Sequence, residues 1–208
     1  MALFITFEGG EGSGKSVQTR ALYRKLTRLA TPALLTHEPG GTPLGKKLSR
    51  YLKWTEDTDI SPLTELLMFN ASRAQLIDKV IRPNLVKGKT VICDRYADST
   101  TAYQGYGRGL DLEMVAAINN AATQGLKPDL TVLLDIPAEA GLARKRSRQR
   151  DRFEQEETAF HQRVREGYLD LEANDPERWL VVDASQSKEK ITEITWQRVN
   201  QLLSSQKW

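Results

Sequence analysis

The stretch Leu3-Phe4-Ile5-Thr6-Phe7 and, after Glu8, the octapeptide Gly9-Gly10-Glu11-Gly12-Ser13-Gly14-Lys15-Ser16 decide the fold. The apolar run reads as a buried strand, and the octapeptide fits the P-loop pattern G-x-x-x-x-G-K-[ST]. Glycines at this spacing let successive backbone N–H groups turn inward around phosphate oxygens, and the helix that follows offers its positive N-terminal end. Lys15 adds a mobile cation at the β- and γ-phosphates, and the Ser16 hydroxyl suits Mg²⁺. A glycine-rich turn without a ligand is the plain alternative, but it does not account for lysine and serine in register between strand and helix. A nucleoside triphosphate is the expected ligand of residues 9–16.

Outward from the loop, short apolar strand candidates recur at 3–8, 32–37, 90–94, 130–135 and 179–183, separated by stretches long enough for helical crossovers. That alternation predicts an α/β fold with a five-stranded parallel sheet flanked by helices. Leu22, Leu26 and Leu29 are expected to face inward from the helix after the loop. A helical period runs from Leu63 through Ile81 and is expected to stop at Pro83; a third, over about 111–124, sets Met114, Ile118 and Ala121 on one stripe. Ile191 to Leu203 reads as a closing amphipathic helix.

With 208 residues and no Pro/Gly/Ser-rich linker, one domain over 1–208 is expected. A net charge of +3, with acidic and basic residues interleaved, gives no general reason to expect nucleic-acid binding. No stretch approaches membrane-spanning length or reads as a secretory leader, and the single cysteine, Cys93, lies in a strand candidate where a buried thiol is the ordinary reading. A cytoplasmic protein without membrane partners is expected.

Chemistry-bearing residues fall at the carboxyl ends of the strand candidates, where open α/β sheets place their ligand crevice. There is no Asn-Lys-x-Asp sequence of the GTPase kind and no strand-ending Asp-Glu pair as in many ATP hydrolases. The third strand ends instead in Asp94-Arg95, an aspartate able to hold Mg²⁺ or its waters beside an arginine able to grip a second phosphate by a bidentate fork. Arg144, Lys145, Arg146, Arg148, Arg150 and Arg152 form a dense basic segment. A solvated helix face is its ordinary explanation; in a phosphate-handling chain a short arginine-rich lid, approximately 141–156, suits the charge that develops on the phosphoryl oxygens.

Taken in order, Glu8–Ser16, Glu38-Pro39-Gly40-Gly41-Thr42, Leu67-Met68-Phe69-Asn70-Ala71-Ser72-Arg73, Asp94-Arg95-Tyr96 with Ser99, Ala102-Tyr103-Gln104-Gly105 and Pro128-Asp129-Leu130 closely resemble thymidylate kinase, over essentially the entire chain. The acidic residue in the loop and the arginines downstream resemble the bacterial branch. The resemblance implies a P-loop NTPase fold, a homodimer, and Mg²⁺-dependent transfer of the γ-phosphoryl group of ATP to dTMP, giving dTDP for the dTTP pool. By position it implies that Phe69 stacks on thymine, Arg73 bonds its O4, Arg95 holds the dTMP phosphate, Tyr103 crowds C2′ of the sugar, and Thr100 and Gln104 lie near the base. It further implies that Glu11 meets the 3′-hydroxyl or the metal shell, that Ser16 and Asp94 serve the metal, and that Arg144 packs on adenine. Lys15, Arg95, Arg148 and Arg150 are the candidates for transition-state charge. Another deoxynucleoside or nucleoside monophosphate kinase is the nearer alternative, a nucleotide-dependent switch the more distant one.

Overall fold

Strands buried on both faces need helices on both sides, and this chain supplies them in alternation. The computed structural model describes residues 2–54, 59–144 and 151–205. In chain order the elements are β1 (Phe4–Glu8), α1 (Lys15–Arg28), β2 (Ala33–His37), α2 (Pro43–Trp54), α3 (Pro62–Leu76), α4 (Arg82–Val86), β3 (Thr90–Asp94) and α5 (Ala97–Thr100). They continue with α6 (Leu112–Thr123), β4 (Leu130–Asp135), α7 (Ala138–Ala143), α8 (Thr158–Asn174), β5 (Trp179–Asp183) and α9 (Lys188–Ser205). The five strands are parallel in the order β2-β3-β1-β4-β5, with Ile5 in register with Ile92 on one side and Leu130 on the other. Each lies within one residue of its expected position.

Alternation along β1 divides the core. Leu3, Ile5 and Phe7 pack with Leu22 and Leu26 of α1 and Val199 of α9, whereas Phe4 faces Leu76, Ile77, Ile81 and Tyr96. Because chain order reverses at β1, with β3 on one side and β4 on the other, the carboxyl edge of the sheet opens into a crevice there.

Three helical expectations need correction. Leu29 is 56 % exposed, because α1 ends at Arg28 and Leu29 caps it. In α6 the buried stripe is Val115, Asn119 and Thr123; Met114 and Ile118 are half-buried and Ala121 exposed. Two of the stripe's three members are polar, and one of them, Asn119, accepts from Arg73 and Thr100. Pro83 does not stop the helical run begun by α3: after Leu76 the chain widens into a π-helical turn, Ile77–Ile81, and continues as α4. Pro83 has no N–H to give the carbonyl four residues back, so a wider turn ahead of it removes a bond that could not form.

Candidate active site

The loop after β1 is held by close backbone approach. Gly12, at φ +69°, lies against the Gly141 carbonyl, where a Cβ would collide, and a Cβ on Gly141 would strike the Glu11 carbonyl; α7 can therefore seat directly on the loop. Gly14, at φ +94°, caps α1. Lys15 is only 7 % exposed and donates from Nζ to Gly9 O at 2.9 Å, Gly10 O at 2.7 Å and Ser13 Oγ at 3.2 Å. Burial, and then the neighbouring Arg95 charge, lower its pKa to about 8. Ser16 Oγ donates to Asp94 Oδ2 at 2.6 Å, which brings the two metal candidates together. Among the described residues no group of three or more His, Cys, Asp or Glu could hold a metal by itself. Two oxygen donors beside a phosphate cradle fit Mg²⁺, which keeps several waters and takes phosphate oxygens as further ligands.

Arg95, directly after β3, has a left-handed backbone, φ +71°. Its guanidinium reaches across the crevice: Nη2 donates to Glu11 Oε1 at 2.7 Å and Tyr103 Oη at 3.1 Å, and Nη1 to Gly9 O, Ser99 Oγ and Tyr168 Oη at 3.2–3.3 Å. Tyr103 Oη in turn donates to Glu11 Oε1 at 3.0 Å; burial pushes this phenol up, so it keeps its proton as a donor. Beneath them Glu8, fully buried at the end of β1, accepts from Tyr96 N at 2.7 Å, Ser99 Oγ at 2.5 Å and Tyr168 Oη at 3.0 Å. Burial and then Asp98 raise its carboxyl to about 8. This network clamps the turn that aims Arg95.

Beside Arg95 a cavity is lined by Phe69, Phe153 and Tyr103 together with Arg73, Thr100 and Gln104. The Phe69 and Phe153 rings are 5.7 Å apart, and Tyr103 meets Phe153 edge-on at 6.1 Å. Arg73 is 1 % exposed and its donors are shared among protein acceptors: Nε with Glu38 Oε2 at 2.8 Å, Nη1 with Asn70, Thr100 and Asn119 at 2.9–3.1 Å, and Nη2 with Tyr96 O at 3.0 Å. Gln104 donates from Nε2 to Glu65 Oε1 at 2.8 Å. Its Oε1 and Glu38 Oε1 are buried with no hydrogen-bond partner among the described residues.

A wider cleft runs from this cavity over Gly12, Gly14, Lys15 and Ser16 to Arg144, and the two share Glu11, Glu38, Pro39, Lys53 and Arg95. Arg144 donates to Ala184 O at 2.8 Å. Arg148 and Arg150 lie outside the described residues. The segment after them is docked rather than solvated: Arg152 N and Nε donate to Lys53 O and Leu52 O at 3.1 Å, Asp151 pairs with Lys53 at 3.2 Å, and Phe153 enters the cavity. The expected residues 9–16, 69, 73, 94, 95, 100, 103 and 104 thus converge on one crevice. Sequence reasoning gave no role to Phe153, Tyr168, Glu65 or Asn119. Tyr168 recurs with Phe160 and Val164 at helical spacing and reads as core, and Glu65 in the first turn of α3 reads as a dipole partner.

The Thymidylate kinase family model matches residues 7–194 of this chain. A thymidylate kinase of Dehalococcoides mccartyi (strain ATCC BAA-2266 / KCTC 15142 / 195) is 58 % identical over 203 residues, 98 % of each chain. One of Roseiflexus castenholzii is 51 % identical over 207 residues, 93 % of this chain and 90 % of that protein. The crystal structure of thymidylate kinase from Ehrlichia chaffeensis superposes with a TM-score of 0.76 at 32 % identity, covering 97 % of this chain and 98 % of that one.

Proposed function

This chain belongs to the thymidylate kinase family and phosphorylates dTMP to dTDP with ATP as donor, and from that premise we propose how its residues divide the work. The observation that carries the assignment is the shared wall: a phosphate-cradling cleft and an aromatic-lined cavity meet at Glu11, Glu38, Pro39, Lys53 and Arg95. Two nucleotides entering from the two sides would bring their phosphates together there, and positioning with charge neutralisation is most of what phosphoryl transfer asks of a protein.

On the donor side the loop amides and Lys15 take the β- and γ-phosphates. The three groups Lys15 now touches are neutral, and a phosphate oxygen draws an ammonium more strongly. Ser16 and Asp94 would hold Mg²⁺, directly or through water, and the ion there would neutralise charge on the phosphates. Arg144 borders the adenine end, and Arg148 and Arg150 are the candidates for charge on the transferring group. On the acceptor side Arg95 grips the dTMP phosphate, Glu11 takes the 3′-hydroxyl or a metal water, and Tyr103 crowds C2′. Phe69 stacks on the base, with Phe153 facing it. Arg73 turns a positive edge to O4, Gln104 Oε1 accepts from N3–H, and Thr100 fixes Arg73.

The assembly is a homodimer, supported by Tyr51, Leu63, Leu67 and Leu112, large apolar side chains exposed on α3 and on the two helices packed against it, α2 and α6. One domain over 1–208 working in the cytoplasm without nucleic-acid or membrane partners completes the reading; among the described residues no helix is long and apolar enough to cross a membrane. The test is Arg95→Ala with both KM values measured. The KM for dTMP rises far more than that for ATP; an effect confined to ATP moves Arg95 to the donor side.

A further inference from the structure

We infer that Glu65 is a positioning residue for base choice, fixing which end of the Gln104 amide faces the nucleobase; this rests on the reading of Gln104 as a base contact. Glu65 is fully buried in the first turn of α3. Its Oε1 accepts from Gln104 Nε2 at 2.8 Å and Arg108 Nε at 3.2 Å, and its Oε2 from Arg108 Nη2 at 3.3 Å and from Arg152 Nη2. A carboxylate among donors offers only lone pairs, so the Gln104 atom turned toward it is the amino group. The amide is planar, and its oxygen therefore points away from Glu65. That oxygen is buried, has no partner among the described residues, and belongs to a side chain lining the cavity with Phe69, Arg73 and Thr100.

A fixed acceptor suits a base that carries a hydrogen on N3, as thymine and uracil do. Cytosine presents a lone pair at that atom, and two facing acceptors leave both unsatisfied. The terminal torsion of a glutamine has two broad wells, so without Glu65 the amide is free to turn over and present its NH₂ to cytosine. A purely structural Glu65, tying Arg108 and Arg152, would weaken every acceptor nucleotide alike.

The deciding measurement is the ratio of kcat/KM for dTMP to that for 5-methyl-dCMP, a pair that keeps the methyl group and differs only along the N3–C4 edge. Glu65→Gln narrows the ratio about tenfold or more while the KM for ATP stays within about twofold, and Gln104→Leu also narrows it. The reversed pair E65Q/Q104E, in which the amide at position 65 donates to a carboxylate at position 104, returns the ratio to within about threefold of the unmutated value. A ratio unchanged by E65Q but narrowed by Gln104→Leu overturns the role of Glu65 alone. A ratio unchanged by Gln104→Leu overturns the base contact, and the inference with it. Should E65Q not fold, the reversed pair, which keeps the summed charge of positions 65 and 104 unchanged, decides: a retained ratio supports the inference and a lost one ends it.

Discussion

Lys15 stands with a pKa lowered to about 8 by burial and by Arg95, although a triphosphate needs it charged. Phosphate oxygens raise that pKa, so ATP binding takes up a proton wherever free Lys15 is neutral. The sign follows: affinity is independent of this group below about pH 7 and falls by up to tenfold per pH unit above about 8. Calorimetric titration of ATP from pH 6.5 to 9.5, against Lys15→Met, checks it; parallel curves for the two proteins exclude the coupling. At Tyr103 the expectation is steric. A ribose 2′-hydroxyl meets the ring, ribo-TMP is rejected more firmly than dUMP, and Tyr103→Phe keeps the exclusion because the ring persists; equal kcat/KM for dTMP and ribo-TMP removes the gate. At this level the loop residues were legible because their spacing is itself the chemistry. The burial of Lys15 was not, since it depends on carbonyls that the loop folds back toward it.

In α3, Phe69 and Arg73 share a face, as their spacing of four residues requires. What the spacing does not reveal is that Arg73 ties α3 to the Glu38 turn, the residue after Arg95, α5 and α6. Its buried ion pair with Glu38 at 2.8 Å implies that Arg73→Ala costs about 3–5 kcal/mol of folding stability, because it strands a buried carboxylate. Urea unfolding reads that loss, whereas an arginine serving only the ligand leaves stability within about 1 kcal/mol. The arginine-rich run is judged by function: Arg144→Ala, Arg146→Ala, Arg148→Ala and Arg150→Ala made singly, with a large fall in kcat at 148 or 150 and nucleotide affinities nearly unchanged. If every single variant keeps kcat within about threefold, the run is a solvated basic face. In α6 the helix was legible but its buried stripe was not, since Asn119 lies on that stripe to accept from Arg73 and Thr100, which no hydrophobic period reveals.

Across the chain, strand positions and their parallel direction were readable because buried strands are short apolar runs between crossovers; the strand order, which puts β1 and its loop where chain order reverses, was not. Assembly was less readable, since an apolar stripe does not say whether it faces core or partner. On the homodimer proposed above, the exposed Leu67 is of the second kind: equilibrium sedimentation then gives a dimer and Leu67→Arg shifts it to monomer, and a monomeric unmutated protein ends that proposal. The reaction is tested most directly by coupled ADP release at fixed ATP with dTMP, dUMP, dCMP, AMP and thymidine offered in turn. The cavity and the Arg95 clamp predict that dTMP is fastest, that dUMP, lacking one methyl worth about 1–3 kcal/mol, is poor but measurable, and that thymidine, with no phosphate for Arg95, is inert. Thymidine turned over as efficiently as dTMP, or ADP released at one rate whatever the acceptor, would contradict it.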